Sequence, residues 1–374
     1  MARPIRVLQV YRTFFPDTQG GAEEVVRQIA VGVSQLGCES RIFVPSPNPF
    51  PKEINISGIP VIRSKMQFEI ASCGFALGAL REFRRQVEWA DVVHYHFPWP
   101  FADLLDWLED VRKPKVITYH SDIVRQKALL ILYQPLMEKF LRSADRIVAT
   151  STQYMTSSQT LAELDNVNVV PIGIDEASYP NPNQNERQSV LERFGSGYFL
   201  FVGMLRYYKG LHILLEACRE QDFKVVIAGI GPEEENLRAQ ARQAGLENVQ
   251  FAGRVTDAEK IALIDNSLAM IFPSHLRSEA FGVTLLEGLM RSKPLITAEV
   301  GTGTSYVNAH DETGYVVTAG DPVSLRGAMN KLREEGVAHS FGMAARDRFE
   351  RLFTAKDMCA AYLKIYSEVA MGEV

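Results

Sequence analysis

In the stretch SEAFGVTLLEGLMRSKPLIT, Glu279 stands in front of an apolar run and Glu287 inside it. Two carboxylates in apolar surroundings can work as an acid/base couple. In retaining glycoside hydrolysis such a pair sits about 5–5.5 Å apart. They can also act as two separate clamps on a polar ligand, because an ionised carboxylate accepts from vicinal hydroxyls. Position favours the clamps. IFPS reads as the end of a strand and HLRSEAFG as a loop. A helix is predicted to start near Phe281 to Val283 and to run to about Met290. Its first turn, from Phe281 and Gly282 to Val283 and Thr284, has N–H groups without intrahelical partners, which suits an anion. Glu287 then lies just over one turn inside and Glu279 ahead of the helix, so they border one ligand from different sides with a phosphate between them.

Other residues fall where chemistry is expected. Arg206 and Lys209 follow the strand YFLFVG and can neutralise a diphosphate. Arg254 and Val255 follow NVQFAG and can touch a ligand base, or the turn can simply cap a helix through Thr256 or Asp257. Gly20 and Gly21 follow the first strand and open a helix, where bare backbone can approach a phosphate. His94 and His96 alternate in DVVHYH, and His120 ends VITYHSD. Three histidines at neighbouring strand ends suggest a metal, but no Asp, Glu or Cys stands at a ligand spacing from them, although Asp122 is close. A neutral, hydrogen-bonding His120 is the preferred reading.

Elements must carry these residues. Short β-branched runs recur at IRVLQV, SRIFV, DVVHYH, KVITYH, RIVATS and VNVVP, then at YFLFVG, FKVVIAG, NVQFAG, LAMIFPS, PLITAE and GYVV. Segments of helical spacing separate most of them, which predicts parallel α/β sheets. About six strands in each half predict two Rossmann-like, doubly wound domains whose ligands bind beyond the carboxyl ends of the strands. The Asn- and Pro-rich stretch after residue 176 reads as a linker. The expected layout is a first domain over 1–176, a linker over 177–195, a second domain over 196–355 and a final amphipathic helix over 356–374.

The 374 residues are 46% hydrophobic and 23% charged, with net charge −5, which argues against a nucleic-acid binder. Cys38, Cys73, Cys218 and Cys359 form no CxxC and read as free thiols. No signal peptide or long apolar span is evident, so a cytoplasmic location is expected, with peripheral contact at the inner face of the membrane.

Taken together, the early Gly-Gly turn, ITYHSD, FVG…KG and above all SEAFGVTLLEGLMRSKPLIT resemble the family-4 glycosyltransferases of the GT-B fold, over nearly the whole chain. The resemblance implies two Rossmann-like domains facing across a cleft, and transfer of a hexose from a nucleotide-sugar with retained configuration and no metal or other cofactor. It implies that Glu287 holds the donor ribose, Glu279 the sugar hydroxyls, Lys209 the diphosphate and His120 the donor sugar, with Gly21 approaching the phosphates. It further implies that the backbone of Phe281, Gly282 and Val283 faces sugar and phosphate, and that the last helix crosses back to the first domain. Two departures stand out: Met204 replaces an arginine common in the family, leaving Arg206 to supply that charge, and Gly301-Thr302-Gly303-Thr304-Ser305 replaces a Gly-Gly-x-x-Glu turn. GTGTSYVN and HFPWPFADL look most like bacterial mannosyl- and rhamnosyltransferases of surface-polysaccharide assembly, which implies a GDP-sugar donor and a saccharide or lipid-linked acceptor. Segment 123–143 and the REFRR cluster at 81–85 are candidates for membrane contact. A sugar-nucleotide 2-epimerase of the same fold and a non-catalytic nucleotide-sugar-binding regulator are the alternatives.

Overall fold

The computed structural model describes residues 3–70, 73–123 and 127–372. It divides into two compact units: unit 1 runs to Ile174 and resumes at Ala355, and unit 2 is Asp175–Thr354.

Unit 1 is built on strands β1 (Arg6–Val10), β2 (Glu39–Ser46), β3 (Glu53–Ile56), β4 (Ile59–Lys65), β7 (Val92–Phe97), β8 (Lys115–Tyr119), β9 (Arg146–Ala149) and β10 (Val167–Val169); β5 (Phe68–Ile70) and β6 (Cys73–Phe75) form a separate pair. The eight-stranded sheet has the order β10-β9-β8-β7-β1-β2-β4-β3. Its neighbours run parallel except β3 and β4. Every residue of β7 and β8 is buried, the mark of parallel strands covered on both faces. The six strands expected in the first half are present, and β3, β4 and the β5–β6 pair are additions. The stretch NPFPKEINISGIP, which leads through β3 into the start of β4, is dense in turn formers. Ser57 (φ 53°) and Gly58 (φ 86°) in fact make the two-residue turn that pairs β3 with β4.

Unit 2 carries β11 (Tyr198–Val202), β12 (Val225–Ala228), β13 (Val249–Gly253), β14 (Ser267–Phe272), β15 (Leu295–Glu299) and β16 (Gly314–Thr318), the six expected strands. All are parallel, in the order β13-β12-β11-β14-β15-β16. The order reverses between β11 and β14 here, and between β1 and β7 in unit 1. Such reversals open a crevice beyond the strand ends.

The linker reading of 177–195 needs correction. Residues Gln184–Phe194 form a helix of unit 2. Asn183 and Glu186 make a capping box, Val190 is buried, and Arg187 bonds Asp265 at 2.8 Å. One buried side chain on an otherwise solvated helix leaves a composition that reads as linker. At the other boundary, Ala355 N donates to Ile174 O (3.1 Å), and the helix Ala355–Met371 packs against the helix Gly21–Gln35, with Cys359 Sγ 3.5 Å from Gln28 O. The four cysteines are free and buried.

Candidate active site

In unit 2 the loops after β11 and β14 meet at the reversal. Gly210 (φ 70°) makes this possible, because a Cβ there would fall 1.9 Å from Pro273 O. The close approach brings Lys209, at the end of the turn Tyr207–Lys209, onto Glu279. Lys209 Nζ donates to Glu279 Oε2, and Ser274 Oγ donates to the same oxygen at 2.9 Å. Both bonds fall on Oε2. The side chains of Lys209 and Glu279 are 11% and 8% exposed. Burial works against the ammonium, but Glu279 and Tyr208 outweigh it and raise the Lys209 pKa. Thr302 Oγ1 donates to Glu279 O (2.6 Å) and Gly303 N to Ala280 O (2.8 Å), so the GTGTS turn secures the backbone under Glu279.

The helix Val283–Met290 begins where the sequence places it, after Gly282 (φ 84°), and no side chain caps it. The Phe281 side chain is buried, whereas Gly282, Val283 and Thr284 are half-buried. Glu287 is buried on this helix. Lys260 Nζ donates to its Oε1 at 2.8 Å and also lies 3.1 Å from Asp257 and over the Tyr179 ring. Glu287 Oε2 is buried without a partner at hydrogen-bonding geometry. Burial raises the Glu287 pKa, with Lys260 and the Tyr179 hydroxyl acting to hold it down. Glu279 and Glu287 are therefore held by different lysines.

The remaining unit 2 candidates are more exposed. Arg206 lies in solvent with Nε 3.0 Å from Met204 Sδ, yet close enough to Lys209 to oppose its charge. Arg254 is exposed and Val255 half-buried; the adjacent Thr256 caps the helix Asp257–Asn266 through a capping box with Glu259.

In unit 1, His94 and His96 share one face of β7 and lie in the core, with ring centroids 4.4 Å apart. His96 Nδ1 meets His120 Nε2 at 2.9 Å, and both nitrogens of His94 and of His96 are engaged. Gly20 and Gly21 are exposed at the start of their helix. A Cβ on Gly20 would sit 2.6 Å from Glu23 Oε2, so a carboxylate already lies against this anion-favouring end.

Lys260, Ser274 and Tyr179 were not anticipated. Lys260 meets Glu287 from another helix, a pairing no local spacing reveals. In the REFRR cluster, Arg84 pairs with Glu109 (2.5 Å) and Arg85 with Glu82 (2.8 Å), and both arginines stay exposed. In the segment 123–143, residues 124–126 lie outside the described residues. The helix Lys127–Arg142 exposes Ile131 (71%) and Leu132 (82%). Among the described residues no helix is long and apolar enough to cross a membrane.

Comparison with known proteins identifies the family. The Glycosyltransferase Family 4 model matches residues 19–178 and the Glycosyl transferases group 1 model residues 182–348. The chain is 47% identical to the D-rhamnosyltransferase WbpZ of Pseudomonas aeruginosa, over 94% of this chain and 93% of that one. It is 44% identical to the O-antigen chain mannosyltransferase C of Escherichia coli, over 97% and 98%. Among solved structures, a sucrose-phosphate synthase from Thermosynechococcus elongatus superposes with a TM-score of 0.80 at 18% identity, covering 98% of this chain and 100% of that one. Anabaena HepE in complex with UDP gives 0.78 at 18%, covering 97% and 100%. With two Rossmann-like units and relatives of this identity over nearly its whole length, the chain belongs to the family-4 glycosyltransferases of the GT-B fold and is a hexosyltransferase.

Proposed function

We propose that the enzyme moves mannose or rhamnose, with retention of configuration, from a GDP-sugar to a saccharide or lipid-linked acceptor in surface-polysaccharide synthesis. The observation that carries the reading is the pair of buried carboxylates in unit 2, each met by its own lysine: Lys209 and Ser274 on Glu279, and Lys260 on Glu287. The likeness to a rhamnosyl- and a mannosyltransferase supports the choice of sugar.

In this reading Glu287 Oε2 accepts from the ribose and Glu279 Oε1 from a sugar hydroxyl. The bond from the anomeric carbon to phosphate oxygen breaks, and negative charge grows on the leaving diphosphate. Lys209, Arg206 and the uncapped N–H groups at Val283 and Thr284 are fixed donors for that charge, which lowers the barrier. The acceptor hydroxyl attacks the same face that the diphosphate leaves, and its proton passes to a phosphate oxygen. His120 hydrogen-bonds a substrate hydroxyl. The offsetting cations are protein side chains, so turnover is expected to survive EDTA.

A thermal-shift panel of GDP, UDP, ADP and their sugars tests the donor. A GDP-selective rise supports the reading and a UDP-selective rise overturns it. Acceptor access at the inner membrane face is supported by the exposed Ile131 and Leu132, on a helix whose last turn carries Lys139 and Arg142. Leu132→Glu is expected to reduce co-sedimentation with anionic vesicles; unchanged binding would remove this helix from the reading.

A further inference from the structure

Gln9 lies one residue before the end of β1, fully buried, where a central parallel strand ordinarily carries an apolar side chain. Its amide bridges two groups. Gln9 Nε2 donates to Tyr366 Oη (3.2 Å), on the helix that returns to unit 1, and Gln9 Oε1 lies 2.8 Å from His96 Nε2. On one side the row continues through His96 Nδ1 to His120 Nε2 (2.9 Å). On the other, Tyr366 Oη meets His94 Nδ1 (2.7 Å), His94 Nε2 meets Thr118 Oγ1 (2.7 Å), and Thr118 Oγ1 meets Tyr362 Oη (2.6 Å). Every member is buried except His120, which is half-buried at the strand end.

Proton accounting gives the row a direction. An amide oxygen only accepts, so His96 Nε2 carries a proton. A neutral imidazole has one ring proton, which leaves His96 Nδ1 as an acceptor. His120 Nε2 must then be the donor, and His120 Nδ1 is bare. On the other side, Tyr366 receives from Gln9 and gives to His94 Nδ1, His94 Nε2 gives to Thr118, and Thr118 gives to Tyr362. Each donor meets an acceptor in a single sense running from His120 to Tyr362. Burial keeps the histidines neutral, holding His94 down to about 3 and His120 down to about 4, with other charges adding to the effect.

We infer that this row fixes His120 as the Nε2–H tautomer, with Nδ1 presented as an acceptor for a substrate hydroxyl, and that Gln9, His96 and Tyr366 are its positioning residues. The acceptor role rests on the reading of His120 as a substrate-binding residue; the tautomer does not. Reversing the Gln9 amide would reverse every bond and turn Nδ1 into a donor, so Gln9 selects what the substrate meets.

Imidazole nitrogen NMR of the full chain, with the His120 signals identified by their loss in His120→Gln, tests the tautomer without substrate. The expected result at neutral pH is a protonated Nε2 and a bare Nδ1; a protonated Nδ1 overturns the inference. Tyr366→Phe and Gln9→Met retain bulk but break the row. Each is expected to give His120 mixed tautomers and to lower kcat/KM by about 3- to 10-fold, the worth of one hydrogen bond. Unchanged tautomer populations in both variants overturn the positioning role, even if stability falls. Wild-type kinetics in His120→Ala would overturn the acceptor role alone, separately from the tautomer result.

Discussion

The two strand-order reversals share a topology and differ in charge. At the β1–β7 reversal of unit 1 a row of neutral polar groups, three histidines, an amide and hydroxyls, is joined end to end, with the Arg12 cation close enough to help hold His120 neutral. At the β11–β14 reversal of unit 2 a buried lysine is paired with a carboxylate, and Lys260 and Glu287 make a second pair nearby. Low polarizability in the surroundings makes charge expensive unless it is paired. The histidine row of unit 1 carries no charge, whereas the unit 2 site pairs it; elsewhere in unit 1 buried charge is also paired, as in Lys115–Asp106 (2.8 Å). The first arrangement is suited to placing a hydroxyl, the second to meeting charge that changes during a reaction.

Substitutions can break this contrast. Lys209→Met removes the cation and is expected to lower kcat by about 100- to 1,000-fold, the scale of losing one preorganised transition-state donor. Glu279→Gln should lower kcat chiefly, which steady-state kinetics with the true donor will show; normal kcat in both variants would remove this pair from the chemistry. Glu287→Ala is expected to raise the donor KM by about 10- to 100-fold with a smaller change in kcat, as for losing a hydrogen bond to a charged group.

Acid should separate the units. His94 and His120 are held near 3 and 4 against an ordinary 6.5, and His96 is also well below it. The unfolded chain therefore takes up more protons below pH 6.5. The stability tied to neutral histidines is complete above that pH and is lost as pH falls toward 4, by about 1.4 kcal/mol per pH unit for each histidine that stays neutral. Glu287 has the opposite sign, because its raised pKa means the folded state holds the proton more tightly. All three tryptophans (Trp89, Trp99 and Trp107) lie in unit 1, so fluorescence-detected melting reports that unit. A fluorescence melting temperature independent of pH between 6.5 and 4 would contradict the neutral row. The smallest effect is expected at Arg254, whose exposed side chain should change donor KM by less than about 3-fold on replacement by alanine.

What the sequence made legible follows from where the physics is local. The expected strands in each half are Val- and Ile-rich runs buried in parallel sheets, so composition and length mark them. Lys209, Glu279 and Glu287 could be read because each follows a strand end or a helix start. Lys260 was missed because its partner is on a different helix, and Gln9 because one polar residue in RVLQV resembles an ordinary strand interruption. The hairpin turn at Ser57-Gly58 was hidden among prolines and other turn formers. The polar helix at 184–194 was lost for the converse reason, since only Val190 faces inward.

The return of the chain at Ala355 also bears on how the protein is made. Unit 2 is contiguous and can close once its last helix has left the ribosome. Gln9 is among the first residues synthesised, but its partner Tyr366 lies 357 positions later. At about 5–20 residues per second, translating unit 2 alone delays the final helix by on the order of 10–40 s. We predict that stalled nascent chains ending at residue 354, followed by an unstructured extension long enough to carry that residue out of the exit tunnel, are cleaved readily within residues 3–174 and resist within 175–354; equal resistance would refute this. The order of folding would then run opposite to the order of synthesis, with the first half of the chain waiting for its last helix.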